Sequence, residues 1–123
     1  MINKTGSHPD KLNISNAKNV LLKRADLIRS IREYFFHQDV IEVQTPLLSS
    51  YPVTDPQLEN IRVENPTCNQ LNSLEDWLFL TTSPEYEMKK LLSLGSGSIY
   101  QICKAFRQDV PGPKHSIEFS ILE

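Results

Sequence analysis

The sequence predicts an α+β domain: an antiparallel sheet with two amphipathic helices. Three observations predict it. Residues 21–38 place apolar side chains at helical spacing. Short apolar or alternating runs near 40–45, 77–80, 98–107 and 116–123 read as strands. The strands are joined mainly by turn-prone segments rather than by crossover helices.

Residues 1–19 are rich in Asn, Lys, Ser, Gly and Pro and read as a polar arm. In the first helix Leu21, Leu22, Ala25, Ile28, Ile31, Phe35 and Phe36 make the apolar side, with Lys23, Arg24, Arg29, Arg32 and Glu33 between them. His37-Gln38-Asp39 ends it. Val40 to Thr45 then alternates as a short strand that stops at Pro46. Residues 49–76 hold Pro52, Pro56 and Pro66 among small polar residues and read as irregular, with a strand-like piece from Leu58 to Glu64. Trp77-Leu78-Phe79-Leu80 reads as a buried strand.

The second helix follows Thr81-Thr82-Ser83-Pro84-Glu85. Tyr86, Met88, Leu91, Leu92 and Leu94 form its apolar side, and Gly95 and Gly97 end it. Thr82-x-x-Glu85 has the form of a capping box, and Pro84 suits a first helical turn. Ser98 to Arg107 and Ser116 to Glu123 read as an antiparallel pair closed near Gly112.

Composition excludes several functional classes. The chain has 123 residues and a formal charge of −2, which argues against coating nucleic acid by charge alone. Its apolar runs fall far short of the about 20 residues that span a membrane. The N-terminus carries no apolar segment of the secretory kind, so a cytoplasmic protein is expected. Cys68 and Cys103 form no CxxC pair and read as two buried or half-buried thiols in a reducing cytosol. His8, His37 and His115 are scattered, and no metal-ligand spacing is present, so no metal site is assigned.

The last two strands carry the candidate chemistry. Residues two apart share a strand face. Gln101, Cys103, Ala105 and Arg107 therefore line one face of the first strand. His115, Ile117, Phe119, Ile121 and Glu123 line one face of the second. One surface can then offer a guanidinium for a phosphate, an aromatic ring for a base and a carboxylate for an amine. The same residues also suit a structural role, with the Arg in a salt bridge and the Phe in the core.

The residues themselves carry a family resemblance. Phe106-Arg107-Gln108-Asp109, then His115, Phe119 and Glu123, resembles motif 2 of class II aminoacyl-tRNA synthetases. The helix from Leu21 and the strand ending at Pro46 resemble motif 1. Within the lysine branch, Val53-Thr54-Asp55, Thr82-Ser83-Pro84-Glu85-Tyr86-x-Met88-Lys89 and residues 115–123 look like the elongation factor P–lysine ligase family. The resemblance covers residues 20–123: motif 1 at about 21–46 and motif 2 at about 105–123. It includes no Gly-x-Gly-x-x-Arg of motif 3, so it implies the first half of a class II catalytic core. Asp109 departs from the family's Glu, and Ser116-Ile117 from its Asn-Pro.

The resemblance implies an ATP-dependent ligase. Such an enzyme activates lysine or (R)-β-lysine as an adenylate and passes it to a lysine side chain of elongation factor P. It implies that Arg107 holds the α-phosphate, as both ATP ligand and catalytic residue. His115 would meet the terminal phosphates, Phe119 would stack on adenine and Asp109 would accept from its amino group. Glu85 and Glu123 would bind the substrate's two amines. ATP and Mg²⁺ are the implied cofactors, with the metal ligands outside these 123 residues. A homodimer through residues 21–46 is implied, the same helix suiting plain intramolecular packing equally well. Two alternatives stand beside the ligase. One is a lysyl-tRNA synthetase-like enzyme, with tRNA disfavoured by the few residues before motif 1. The other is a catalytically incomplete homologue serving for dimerisation or binding.

Overall fold

The computed structural model describes residues 14–68, 73–108, 112 and 115–123. The chain divides into two compact units, Met1–Tyr34 and Phe35–Glu123. The described part of the first unit is helical. Helix α1 (Ile14–His37) starts seven residues before Leu21, inside the stretch expected to be an arm. The segment preceding Leu21 contains no Pro or Gly after residue 13, so nothing local stops the helix from extending back. Along it Ile28, Ile31 and Phe35 are half-buried, whereas Leu21 and Leu22 are exposed.

The second unit begins with the end of that helix. Asp39 adopts a left-handed φ of 55°, and Val40 donates its N–H back to Phe35 O at 3.1 Å. A short polar side chain tolerates that backbone better than most. The chain then enters β1 (Ile41–Glu42), much shorter than the strand expected over 40–45. The reason is chemical. The N–H and Oγ1 of Thr45 both donate to the side-chain Oε1 of Gln101, at 3.1 and 2.9 Å, instead of joining a ladder, and Pro46 has no N–H.

β2 (Leu48–Ser49), β4 (Trp77–Leu80) and β3 (Arg62–Glu64) form an antiparallel sheet in the order β2-β4-β3. Residues 58–61 stay outside β3, although Ile61 O accepts the N–H of Leu80 at 2.9 Å. Asp55 accepts from the N–H of Gln57, and Asn60 from the N–H of Val53. A single 3₁₀ turn, Leu74–Asp76, leads into β4. Arg62 lies over the Trp77 ring, 5.5 Å from its centroid.

Helix α2 (Glu85–Ser93) ends at Gly95 and Gly97, both at positive φ, as the sequence indicates. The expected strand 98–107 is two strands in two sheets. β5 (Ile99–Tyr100) pairs with β1 in parallel, a departure from the all-antiparallel expectation. β6 (Ile102–Phe106) pairs antiparallel with β7 (Glu118–Leu122). The break falls at Gln101, whose side chain is committed to Thr45.

The core of the second unit is small. Phe79, Met88, Tyr100 and Ala105 are buried, together with Thr82, Pro84 and Gln101. Phe35 stacks on Tyr100 at 4.1 Å, and Tyr100 donates its hydroxyl to Glu42. Among the described residues no buried side-chain polar atom lacks a hydrogen-bond partner. No helix among them is long and apolar enough to cross a membrane.

Candidate functional site

The β6–β7 register sets the site. Ala105 lies opposite Phe119 and Cys103 opposite Ile121. Gln101 and Glu123 exchange both backbone hydrogen bonds, and Arg107 donates its N–H to Ile117 O at 3.0 Å. Antiparallel partners share a face, so Gln101, Cys103, Ala105 and Arg107 face the same way as Glu123, Ile121, Phe119 and Ile117. Ala105, wholly buried, leaves room beside the Phe119 ring. The half-buried Arg107 guanidinium uses it, with its carbon 5.1 Å from the ring centroid. Arg107 Nε also makes a long, 3.4 Å contact with Thr82 O.

The segment before α2 is joined to the same edge. Phe106 donates its N–H to Thr81 O at 2.9 Å, which brings residues 81–85 beside β6. Thr82 does not cap the helix, contrary to the capping-box reading; its side chain is buried. Pro84 stands just before the first helical residue, and Ser83 Oγ accepts the N–H of Glu85 at 3.2 Å. The same Ser83 Oγ donates to Glu123 Oε2 at 3.1 Å. One hydroxyl thus joins the backbone of Glu85 to the carboxylate of Glu123, the residue after β7.

Glu85 also faces Lys89 Nζ at 2.6 Å. That hydrogen bond and the charge of Glu85, followed by Tyr86 and Glu123, hold the Lys89 ammonium above its usual range. A cavity of about 90 Å³ opens beside Glu85, between Val53, Asp55, Leu58, Ser83 and Tyr86. Thr54 Oγ1 and Tyr86 Oη are 3.1 Å apart, which ties the Val53-Thr54-Asp55 segment to α2. A second cavity, about 510 Å³, lies among Tyr51, Val53, Phe79, Leu80, Tyr86 and Lys90, a volume in the usual range for small-molecule sites.

The other predicted residues are placed less closely. His115 is exposed and forms an isolated bridge with Gly112 before β7 begins at Glu118, so strand alternation does not set its face. Asp109 lies outside the described residues. Cys68 and Cys103 are free, half-buried thiols, and burial pushes both up from the usual thiol range. Among the described residues no three His, Cys, Asp or Glu side chains converge into a group that could hold a metal ion.

Two residues of this arrangement were not singled out from sequence. Ser83 reads there only as part of a motif, although a Ser just ahead of a Pro-initiated helix is a usual helix-entry acceptor. Lys89 stands four residues after Glu85, the spacing that pairs side chains on a helix.

The family model for class II tRNA synthetases (D, K and N) matches residues 9–123. Over 103 residues the chain is 47% identical to the elongation factor P–(R)-β-lysine ligases of Avibacterium paragallinarum and of Pseudoalteromonas translucida. In each case 84% of this chain is covered, and the chain spans 31% of the relative's length. The structure is similar to asparaginyl-tRNA synthetase from Pyrococcus horikoshii, solved with asparaginyl-adenylate. The TM-score is 0.71 at 18% identity, over 86% of this chain and 22% of that one. That likeness concerns the fold, and it matches the mixed architecture with antiparallel sheets expected from the motifs. On the family match across almost its whole length, the chain belongs to the class II tRNA synthetases (D, K and N).

Proposed function

We propose that these 123 residues supply the amine-binding and part of the nucleotide-binding site of an ATP-dependent ligase. It would activate lysine or (R)-β-lysine as an adenylate and transfer the acyl group to a lysine side chain of elongation factor P. The observation that carries this reading is the Glu85–Ser83–Glu123 link beside the Arg107–Phe119 pair. Ser83 ties the backbone of Glu85 to the carboxylate of Glu123, so two acidic residues stand at one helix entry, as a dication needs, and a cation next to an aromatic ring suits a nucleotide. The 45–47% identical relatives bearing the ligase name support the same reading over a tRNA-charging one.

In this reading Arg107 stabilises the charge that develops on the α-phosphate as pyrophosphate leaves. Phe119 stacks on adenine, Asp109 accepts from its amino group, and His115 reaches the terminal phosphates. Glu85 and Glu123 hold the two amines. ATP is the cofactor, with Mg²⁺ held by residues other than those described. We place the protein in the cytoplasm, with a homodimer formed through residues 21–46. The exposed Leu21, Leu22, Tyr34 and Phe36 support that contact.

Lysine- or β-lysine-dependent exchange of pyrophosphate into ATP tests the reading. Exchange that is lost in Arg107→Ala is the expected result. Absence of exchange, together with no ATP binding at millimolar ATP, overturns it.

A further inference from the structure

Lys89 and Lys90 make ion pairs of the same length, 2.6 Å, to Glu85 and Glu87 within helix α2. The second joins Lys90 to the half-buried Glu87 of the same helix. The first has different surroundings. The N–H of Glu85 is held by Ser83 Oγ, and that hydroxyl donates to Glu123, the residue after strand β7. The Glu85 carboxylate that pairs with Lys89 therefore belongs to a residue whose backbone is tied, through Ser83, to the carboxylate of Glu123. The Lys89 ammonium is raised by Glu85 first, and by Tyr86 and Glu123 as well. The cavity of about 90 Å³ is lined by Glu85 itself. It is large enough for about three waters, or for an ammonium group with a short stretch of chain.

We propose that Lys89 is the resident counter-ion of the amine site: its ammonium occupies Glu85 while the site is empty, and a substrate ammonium binds by displacing it. This rests on the reading of Glu85 and Glu123 as amine ligands. The exchange gives Glu85 one cation in place of another, so its charge is paired before and after. With Glu85 taking the side-chain ammonium of the substrate and Glu123 its other amine, a neutral side chain brings nothing to Glu85 that can take the place of Lys89. The residue thus acts as a built-in competitor that any cationic substrate must outmatch, and it discriminates against uncharged amino acids. No bond is made or broken in the step. Lys89 acts through Glu85 and is a positioning residue, not a catalytic one.

The test is a lysine titration of the 123-residue chain at low salt, followed by NMR of the lysine ε-methylene groups. It uses the wild type, Lys89→Met, Lys89→Arg and Lys90→Met. The ε-methylene signal missing from Lys89→Met identifies Lys89 in the wild type. Displacement predicts that this signal moves with added lysine and not with added leucine. Removing an exposed competing pair should tighten lysine binding about two- to fivefold in Lys89→Met. Lys89→Arg and Lys90→Met should stay within about twofold of wild type. Unchanged or weaker lysine binding in Lys89→Met overturns the displacement model while leaving the amine site standing. No lysine binding in any of the four proteins overturns the amine-site reading itself, and this inference with it.

Discussion

Ser83 Oγ accepts the N–H of Glu85 at 3.2 Å and donates to Glu123 Oε2 at 3.1 Å. One hydroxyl therefore closes the entry to helix α2 and orients a carboxylate 40 residues away. Neither bond depends on the other's geometry, yet both are lost together if the oxygen is removed. Ser83→Ala should lower unfolding free energy by about 1 kcal/mol through the helix entry. It should also weaken lysine binding by freeing Glu123. Urea unfolding and a lysine titration read the two effects separately, and stability loss with unaltered lysine affinity would separate Glu123 from the amine site.

How much of this arrangement was legible beforehand depended on how local each piece is. The β6–β7 pair was legible because two alternating runs flank a turn at Gly112, and its register places Arg107 and Phe119 on one face as the alternation requires. The α2 termini were legible from Pro84 and from Gly95 and Gly97. The strand at 40–45 was overread because its truncation depends on Gln101, which lies 56 residues from Thr45. Nothing near Thr45 announces that partner. Likewise, the parallel pairing of β1 with β5 is a long-range choice that neither strand's own pattern specifies. Ser83 was visible as a letter, but its hydrogen bond to Glu123 exists only once the end of β7 is folded against the start of α2.

Gln101 provides the clearest stability prediction. It is almost fully buried, and its Oε1 satisfies both the N–H and the Oγ1 of Thr45. Gln101→Leu keeps the approximate bulk and strands a Thr45 backbone donor. The expected loss is about 2 kcal/mol, within the usual cost of leaving a buried polar group unpaired. Thr45→Val removes only the hydroxyl and should cost less than Gln101→Leu, because the amide bond to Oε1 remains. Denaturant unfolding of the two variants checks the order, and equal losses would contradict it.

Arg107 and Phe119 support a nucleotide in different ways, so their variants should separate. The guanidinium sits 5.1 Å from the ring centroid in the unliganded protein, and a base that stacks there must share or displace it. Phe119→Leu retains apolar packing against Ala105 and loses the flat face. Stacking is worth about 1–3 kcal/mol per base, so ATP should bind about tenfold more weakly. Adenosine, which has no phosphates, should lose affinity to the same degree. Arg107→Lys keeps a charge without the forked donors and should weaken ATP while sparing adenosine. Calorimetric titration of both ligands into both variants decides it; an equal loss of adenosine binding in Arg107→Lys would contradict the division of labour.

The Lys89–Glu85 pair fixes a pH dependence whose sign can be worked out. The folded state raises the Lys89 pKa above the usual 10.5, chiefly through the hydrogen bond and charge of Glu85. A raised lysine contributes stability that is fully present below its unfolded pKa and is lost as pH rises through the folded value. The effect therefore lies in the alkaline range above 10.5 and leaves neutral pH untouched. Both side chains are more than half exposed, at 62% and 54%, so salt screens the pair. A titration of the Lys89 ε-methylene signal should show its midpoint falling in Glu85→Gln. It should fall less in Glu123→Gln, since Glu123 is the more minor influence. High salt should move the wild-type midpoint in the same downward direction as Glu85→Gln. A midpoint insensitive to Glu85→Gln would show that the ion pair is not maintained in solution, and Lys89 could not then be the group a substrate ammonium displaces.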